Sequence, residues 1–179
     1  RHRLIEARRI STCRTRGTDV PVVLDLMIHD VDAVLSVVSS EVVDVQATGA
    51  RVLSETADIA NARIAFADGC VANLTASRIS LQKMRKMRIF QRDAYITVDF
   101  LDKKASVMTF GEGTTDQGWN IDLGENGQKH VKLQPTIVTP TNAIQEELRS
   151  FADAVQNGRQ PDVPHTDGRR AQGPAHGPR

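Results

Sequence analysis

The chain has 179 residues, 40% hydrophobic and 25% charged with a formal net charge of +1, the balance of a globular domain rather than of a disordered or membrane-spanning segment. At this length a single core buries about 70% of the surface of the unfolded chain, so one domain is expected and no disulfide or metal staple is required. Cys13 and Cys70 are accordingly expected as free thiols, no apolar run is long enough to cross a bilayer, and a cytoplasmic location is the expectation.

The chain opens with Arg1 inside an alternating segment, Leu4, Glu6, Arg8 and Ile10, that reads as a strand, and it is expected to be part of a longer polypeptide. Residues 20–39 are apolar around most of their circumference, which predicts a helix buried against a sheet, with Asp19 and Thr18 at its cap and Pro21 in its first turn. Strands follow at Val42 to Leu53, with a bend at Gly49, then at Ala60 to Phe66 and Val71 to Ile79. The Asp68-Gly69 dipeptide between those last two apolar runs predicts a hairpin. Further strands are expected at Met84 to Gln91, Tyr95 to Leu101, Ala105 to Phe110 and Lys129 to Leu133, with a polar loop over 111–128 that carries Trp119. Thr141 to Gln156 has the helical apolar spacing Ile144, Leu148, Phe151, Val155, and Gly158 stops it. A helix start is read at 166–170, and residues 172–179, interrupted by paired Gly and Pro, read as a disordered tail. Consecutive hairpins with helices grouped apart predict an α+β fold whose large, open, mostly antiparallel sheet carries helices on one face.

Basic residues cluster twice, within 1–16 and again from Arg78 to Arg92. The second run contains Phe90 as its only aromatic, so no nucleic-acid partner is expected, and the charges are read as solvated strand faces or an anion-binding rim. The nearest approach to a phosphate-cradling glycine loop is Gly111-x-Gly113, with Asp116 where the third glycine belongs and no helix after it. This chain therefore offers no Rossmann domain, and by itself it is expected to bind neither NAD nor NADP.

Chemistry concentrates on the first predicted helix. At about 100° per residue, Asp25, His29, Asp32 and Ser36 fall in one narrow stripe while Asp30 points elsewhere. At i, i+4 a carboxylate can accept a hydrogen bond from an imidazole and fix its tautomer, which makes a competent general base. The spacing alone leaves that reading open beside two others, a satisfied structural His-Asp pair and a rim facing solvent. A metal site on Asp25, His29 and Asp32 would need ligands that the sequence does not supply, and none is expected.

The stretch Gly17 to Asp32, with its pattern Leu-Asp-x-x-x-His-x-x-Asp, followed by Asp58-Ile59-Ala60-Asn61-Ala62-Arg63, Asp68-Gly69 and Leu74-Thr75-Ala76-Ser77-Arg78, resembles the C-terminal domain of the Gfo/Idh/MocA family of NAD(P)-dependent oxidoreductases. The resemblance runs from residue 1 to about 171 and is strongest toward the UDP-N-acetylglucosamine 3-dehydrogenase-like group, although Met27 stands where the broader family usually has glycine. It implies the substrate-binding half of a sugar or sugar-nucleotide dehydrogenase, inactive alone, with NAD or NADP held by a Rossmann domain absent from this chain. By resemblance His29 is the general base and Asp25 orients it and supports its positive charge. Arg16, Arg78 and Asp32 are the implied substrate-binding residues, the arginines because a guanidinium offers a bidentate donor pair to a diphosphate or acidic group. A homo-oligomer formed through the sheet is the expected assembly; the competing reading is a non-catalytic module that uses the same sheet for self-association or partner binding.

Overall fold

The computed structural model describes residues 3–13, 20–111, 118–122, 124, 127–136 and 142–158. They fall into two compact units, Arg1–Thr139 and Pro140–Arg179. The first contains nine strands, β1 (Leu4–Thr12), β2 (Val42–Ala50), β3 (Ile59–Phe66), β4 (Val71–Ser80), β5 (Met84–Gln91), β6 (Ala94–Asp99), β7 (Lys104–Gly111), β8 (Trp119–Asp122) and β9 (Gln128–Thr136). All nine join one sheet in the order β2-β3-β4-β1-β5-β6-β7-β9-β8. Every neighbouring pair is antiparallel except β1 and β4 at the centre, which run parallel with Ile5 opposite Ala72 and Ala7 opposite Leu74.

Between β1 and β2 the chain crosses one face of the sheet as a π-helical segment, Val23–Met27, continued by α1, Ile28–Val37. Alternation assigns Ile5 and Ala7 of β1, Ala60 and Ile64 of β3, Ala72, Leu74 and Ala76 of β4, and Met87 and Ile89 of β5 to that face. Val22, Met27, Val34 and Val38 close over them to form the core. Four alanines in this layer leave room for a helix to lie close on the strands. Arg9 of β1 points the same way and meets Asp30 of α1, with Nε and Nη2 donating to Oδ1 at 3.1 and 2.7 Å. The expected architecture is therefore the observed one, and Asp30 does point away from the stripe.

The Asp68-Gly69 hairpin forms as expected: Gly69 adopts φ 81°, its N–H donates to the Phe66 carbonyl, and Asp68 Oδ1 accepts from the Cys70 amide at 3.0 Å. Four local expectations are corrected. Gly49 makes no bend; it pairs with Ala60 inside β2, where a Cβ would lie 3.2 Å from the Ile59 carbonyl oxygen and 3.3 Å from the Ala57 Cβ. Strand β2 ends at Ala50 rather than Leu53, because the amides of Val52 and Leu53 turn inward to Asp58. The presumed loop around Trp119 contains the edge strand β8, paired with β9, and β9 itself extends to Thr136. The first helix starts one turn later than residue 20, with no side-chain cap at Val22. Arg16, the expected cap residues Thr18 and Asp19, and the expectations for 166–170 and 172–179 lie outside the described residues.

In the second unit α2, Ala143–Gln156, begins at Asn142, whose side chain accepts from the Gln145 amide, and ends before Gly158 at φ 60°. Ile144, Leu148, Phe151 and Val155 recur at helical spacing and are each more than half exposed.

Cys13 and Cys70 are both free, Cys13 at the surface and Cys70 buried, where desolvation pushes its thiol above the ordinary range. Leu74 is almost fully buried at the centre of β4, so Leu74→Ala is expected to cost about 2 to 5 kcal/mol of stability, readable by urea denaturation with an unchanged m-value.

Candidate active site

The π-helical segment places the stripe. Its turn is closed by the Ile28 amide on the Val23 carbonyl, five residues back, while the Leu24 and Asp25 amides both reach the Pro21 carbonyl. Such a turn bonds residue i+5 to residue i and advances less per residue than an α-helix, which shifts the phase of the stripe. Asp25 lies inside it and His29 in the regular helix beyond, so the pair spans the change from one helix type to the other. Both side chains are exposed, and among the described residues no hydrogen bond joins them. Asp32 and Ser36 are half-buried, with Ser36 Oγ donating to the Ala33 carbonyl at 2.7 Å. Leu24, Ile28 and Leu35 lie exposed along the same helix, so the polar stripe borders an apolar surface. The two groups available for chemistry are therefore an imidazole and a carboxylate within reach of a ligand, held on a rigid element and not satisfied by each other.

Behind the start of this helix sits a feature that spacing did not reveal. Asp58 is 1% exposed; its Oδ2 accepts the amides of Val52 (2.8 Å), Leu53 (2.7 Å) and Ser54 (3.0 Å), and its Oδ1 accepts from Ser54 Oγ and Arg78 Nε, both at 2.8 Å. The Leu53 and Val52 amides, helped by Arg78 and Ser54, hold its carboxyl far below the usual carboxylate range. Arg78 is buried too. Its terminal nitrogens donate to the Val20 carbonyl, Ser54 Oγ and Thr56 Oγ1, so the guanidinium expected to meet substrate is engaged inside the fold. The sequence signal for this cluster was the pair of motif segments beginning at Asp58 and ending at Arg78.

The second basic run divides by strand parity. Met87 and Ile89 enter the core, while Lys86 and Arg88 face the opposite side of the sheet, where they pair with Asp99 (3.2 Å) and Glu6 (2.8 Å). A groove of about 780 Å³ lies on that side, with Arg8, Tyr95 and Ser106 among its lining residues. The solvated strand face is thus the reading the structure supports for these charges. Gly111 ends β7 opposite His130, and a Cβ there would meet nothing within 4 Å; Gly113 and Asp116 lie outside the described residues. Among the described residues no three His, Cys, Asp or Glu side chains converge to hold a metal, and no helix is long and apolar enough to cross a membrane.

Residues 12–97 match the model of the GFO/IDH/MocA C-terminal domain. Over 153 residues the chain is 35% identical to a UDP-N-acetylglucosamine 3-dehydrogenase of Acidithiobacillus ferrooxidans, an alignment that spans 86% of this chain and 46% of that protein. The chain belongs to the Gfo/Idh/MocA C-terminal domain family. A solved structure of the Acidithiobacillus enzyme superposes with a TM-score of 0.73, covering 87% of this chain and 47% of the other. An NAD-binding protein of Listeria innocua, 18% identical, shares the fold at a TM-score of 0.64 over 89% of this chain and 47% of its own. Levoglucosan dehydrogenase, solved with NADH and L-sorbose, shares it at 14% identity and 0.62, over 87% and 49%. This Gfo/Idh/MocA domain is thus related to a sugar-nucleotide dehydrogenase and spans about half the length of the relatives it matches.

Asp58 also sets a pH dependence. Its folded carboxyl ionises far below the unfolded value of about 3.9, so its contribution to stability is complete above that pH and is lost as the pH falls below it. Thermal melts should show Asp58→Asn less stable than the parent at pH 7 and falling less steeply on acidification, the two curves converging toward about pH 2. Parallel curves over that range would contradict the assignment.

Proposed function

We propose that this chain is the substrate-binding half of a cytoplasmic NAD(P)-dependent sugar or sugar-nucleotide dehydrogenase, with His29 as general base. The observation that carries this reading is the exposure of His29 and Asp25 together on one rigid helix, in a chain 35% identical to an enzyme named for a UDP-sugar. His29 takes the proton of the sugar hydroxyl being oxidised. Asp25, on the preceding turn, supports the imidazolium that results and draws the ring into register once a ligand excludes water from the stripe. Asp32, half-buried one turn further on, and Arg16 ahead of the helix are the substrate-side residues. NAD or NADP, which would accept the hydride, belongs in this reading to a second, nucleotide-binding half, and the chain alone is inactive.

The test is to fuse the chain to the nucleotide-binding half of a UDP-N-acetylglucosamine 3-dehydrogenase and assay sugar-nucleotide oxidation. His29→Ala should lower turnover by about 10² to 10⁴ while leaving the melting temperature nearly unchanged, since the side chain is exposed. Asp25→Asn should cost less than His29→Ala and more than a change elsewhere on the surface. Full activity in folded His29→Ala would remove His29 from the mechanism.

Self-association through the sheet belongs to the same reading. The face opposite α1 carries the groove bounded by Arg8, Lys86 and Arg88, and Leu4 and Leu133 remain exposed. Light scattering at high micromolar concentration should report a dimer or larger species, and a strictly monomeric mass would count against it.

A further inference from the structure

The buried Asp58–Arg78 pair touches the two segments that frame the entry to the His29 helix. On one side Asp58 gathers the amides of Val52, Leu53 and Ser54, which shapes the turn between β2 and β3 around a single carboxylate. On the other, Arg78 donates from Nη1 to the Val20 carbonyl, just ahead of Pro21 and the helix start. Arg78 Nη2 meanwhile donates to Ser54 Oγ (3.0 Å) and Thr56 Oγ1 (2.7 Å), and the Val22 amide, at the first helical residue, donates to the Ala57 carbonyl at 3.0 Å. Backbone bonds from Asp58 N–H to the Ala50 carbonyl and from Arg78 N–H to the Asp58 carbonyl tie the same pair to β2 and β4. Val22 and Met27, which bracket the π-helical segment that carries Asp25, are both buried in the core, and Arg78 adds the polar tie at its entry.

We propose that Asp58 and Arg78 are positioning residues for the His29 site: they fix the entry of the π-helical segment to the 52–57 turn and so set where Asp25 stands relative to His29. The proposal rests on the reading of His29 and Asp25 as the reacting pair. Arg78 acts through the Val20 carbonyl and the helix start, and needs no contact with substrate to do so. A planar guanidinium serves because one group must donate in three directions at once, to a carboxylate, a carbonyl and two hydroxyls; an ammonium on a flexible stem holds the charge but not the fork.

A role confined to this junction differs measurably from a general role in stability. Residue-resolved amide hydrogen exchange on the 179-residue chain reads both at once, with the Val22, Leu53 and Ser54 amides reporting on the junction and those of Ala72 and Leu74 on the sheet. Arg78→Lys and Arg78→Met should each speed exchange at the junction amides, by about 10- to 100-fold for the methionine and less for the lysine, while the sheet amides change little. Equal acceleration at Leu74 and Val22, or none at Val22, overturns the proposal. If Arg78→Met does not fold, Arg78→Lys carries the same test.

In the fused enzyme, Arg78→Lys should lower kcat per folded molecule by about 10- to 100-fold, the scale of a small misplacement of a reacting group, and leave KM for the sugar nucleotide nearly unchanged. A raised KM with kcat intact would instead make Arg78 a substrate contact and overturn the positioning role. Failure of the underlying reading has a separate signature: folded His29→Ala that turns over normally removes the site, whereas exchange at Val22 judges the junction by itself.

Discussion

Two adjacent strands that run parallel cannot be joined by a tight turn, and the parallel pairing of β1 with β4 imposes the rest of the arrangement. The chain leaving β1 has to travel before it can re-enter the sheet in the same direction, and it does so over one face as the π-helical segment and α1, then through β2 and β3. The helix that carries Asp25 and His29 is that crossover. It is held down by Val22, Met27, Val34 and Val38 on an alanine-rich patch, by the Arg9–Asp30 ion pair at its middle, and by Arg78 at its entry. The burial that fixes the helix on one side leaves its other side, with the stripe, in solvent.

Charged groups are used in two different ways on the two faces. Toward the helix, Arg9 and Arg78 are nearly buried and each meets a carboxylate in a fully hydrogen-bonded arrangement, the condition under which a buried ion pair is tolerable. Among the described residues no buried side-chain nitrogen or oxygen lacks a partner. On the opposite face Lys86, Arg88, Glu6 and Asp99 pair across strands while partly exposed, an arrangement worth little in stability but one that gives the face a mixed-sign pattern.

Much of this was legible from the residues. Hairpin chemistry at Asp68-Gly69, strand alternation in β3, β4 and β5, and the apolar circumference of residues 20–39 are local signals, and local signals gave the right elements and the right fold class. The candidate residues Asp25, His29 and Asp32 were legible as residue types, since an imidazole and carboxylates stand out on an apolar helix. Their geometry was not, because a π-helical turn changes the phase of the stripe without any residue that announces it. The Asp58 cluster was hidden for a different reason: its partners are backbone amides at 52–54 and an arginine twenty residues on, and neither periodicity nor spacing encodes a carboxylate that bonds to main chain. The strand β8 escaped because four residues at a sheet edge carry too little pattern to separate from a polar loop.

The sheet order also has a history written into it. Strands β4 and β5 follow one another in the chain yet never touch, because β1 lies between them and pairs with both. Without β1 the sheet would be two separate pieces, β2-β3-β4 and β5-β6-β7-β9-β8, whose strands pair with sequence neighbours except where β7 meets β9. Among these nine strands β1 comes earliest in the chain, yet both of its partners, β4 and β5, come later, so it pairs only once strands from both pieces exist to receive it. Closing that gap means bridging more than sixty residues, a slow step compared with hairpin formation.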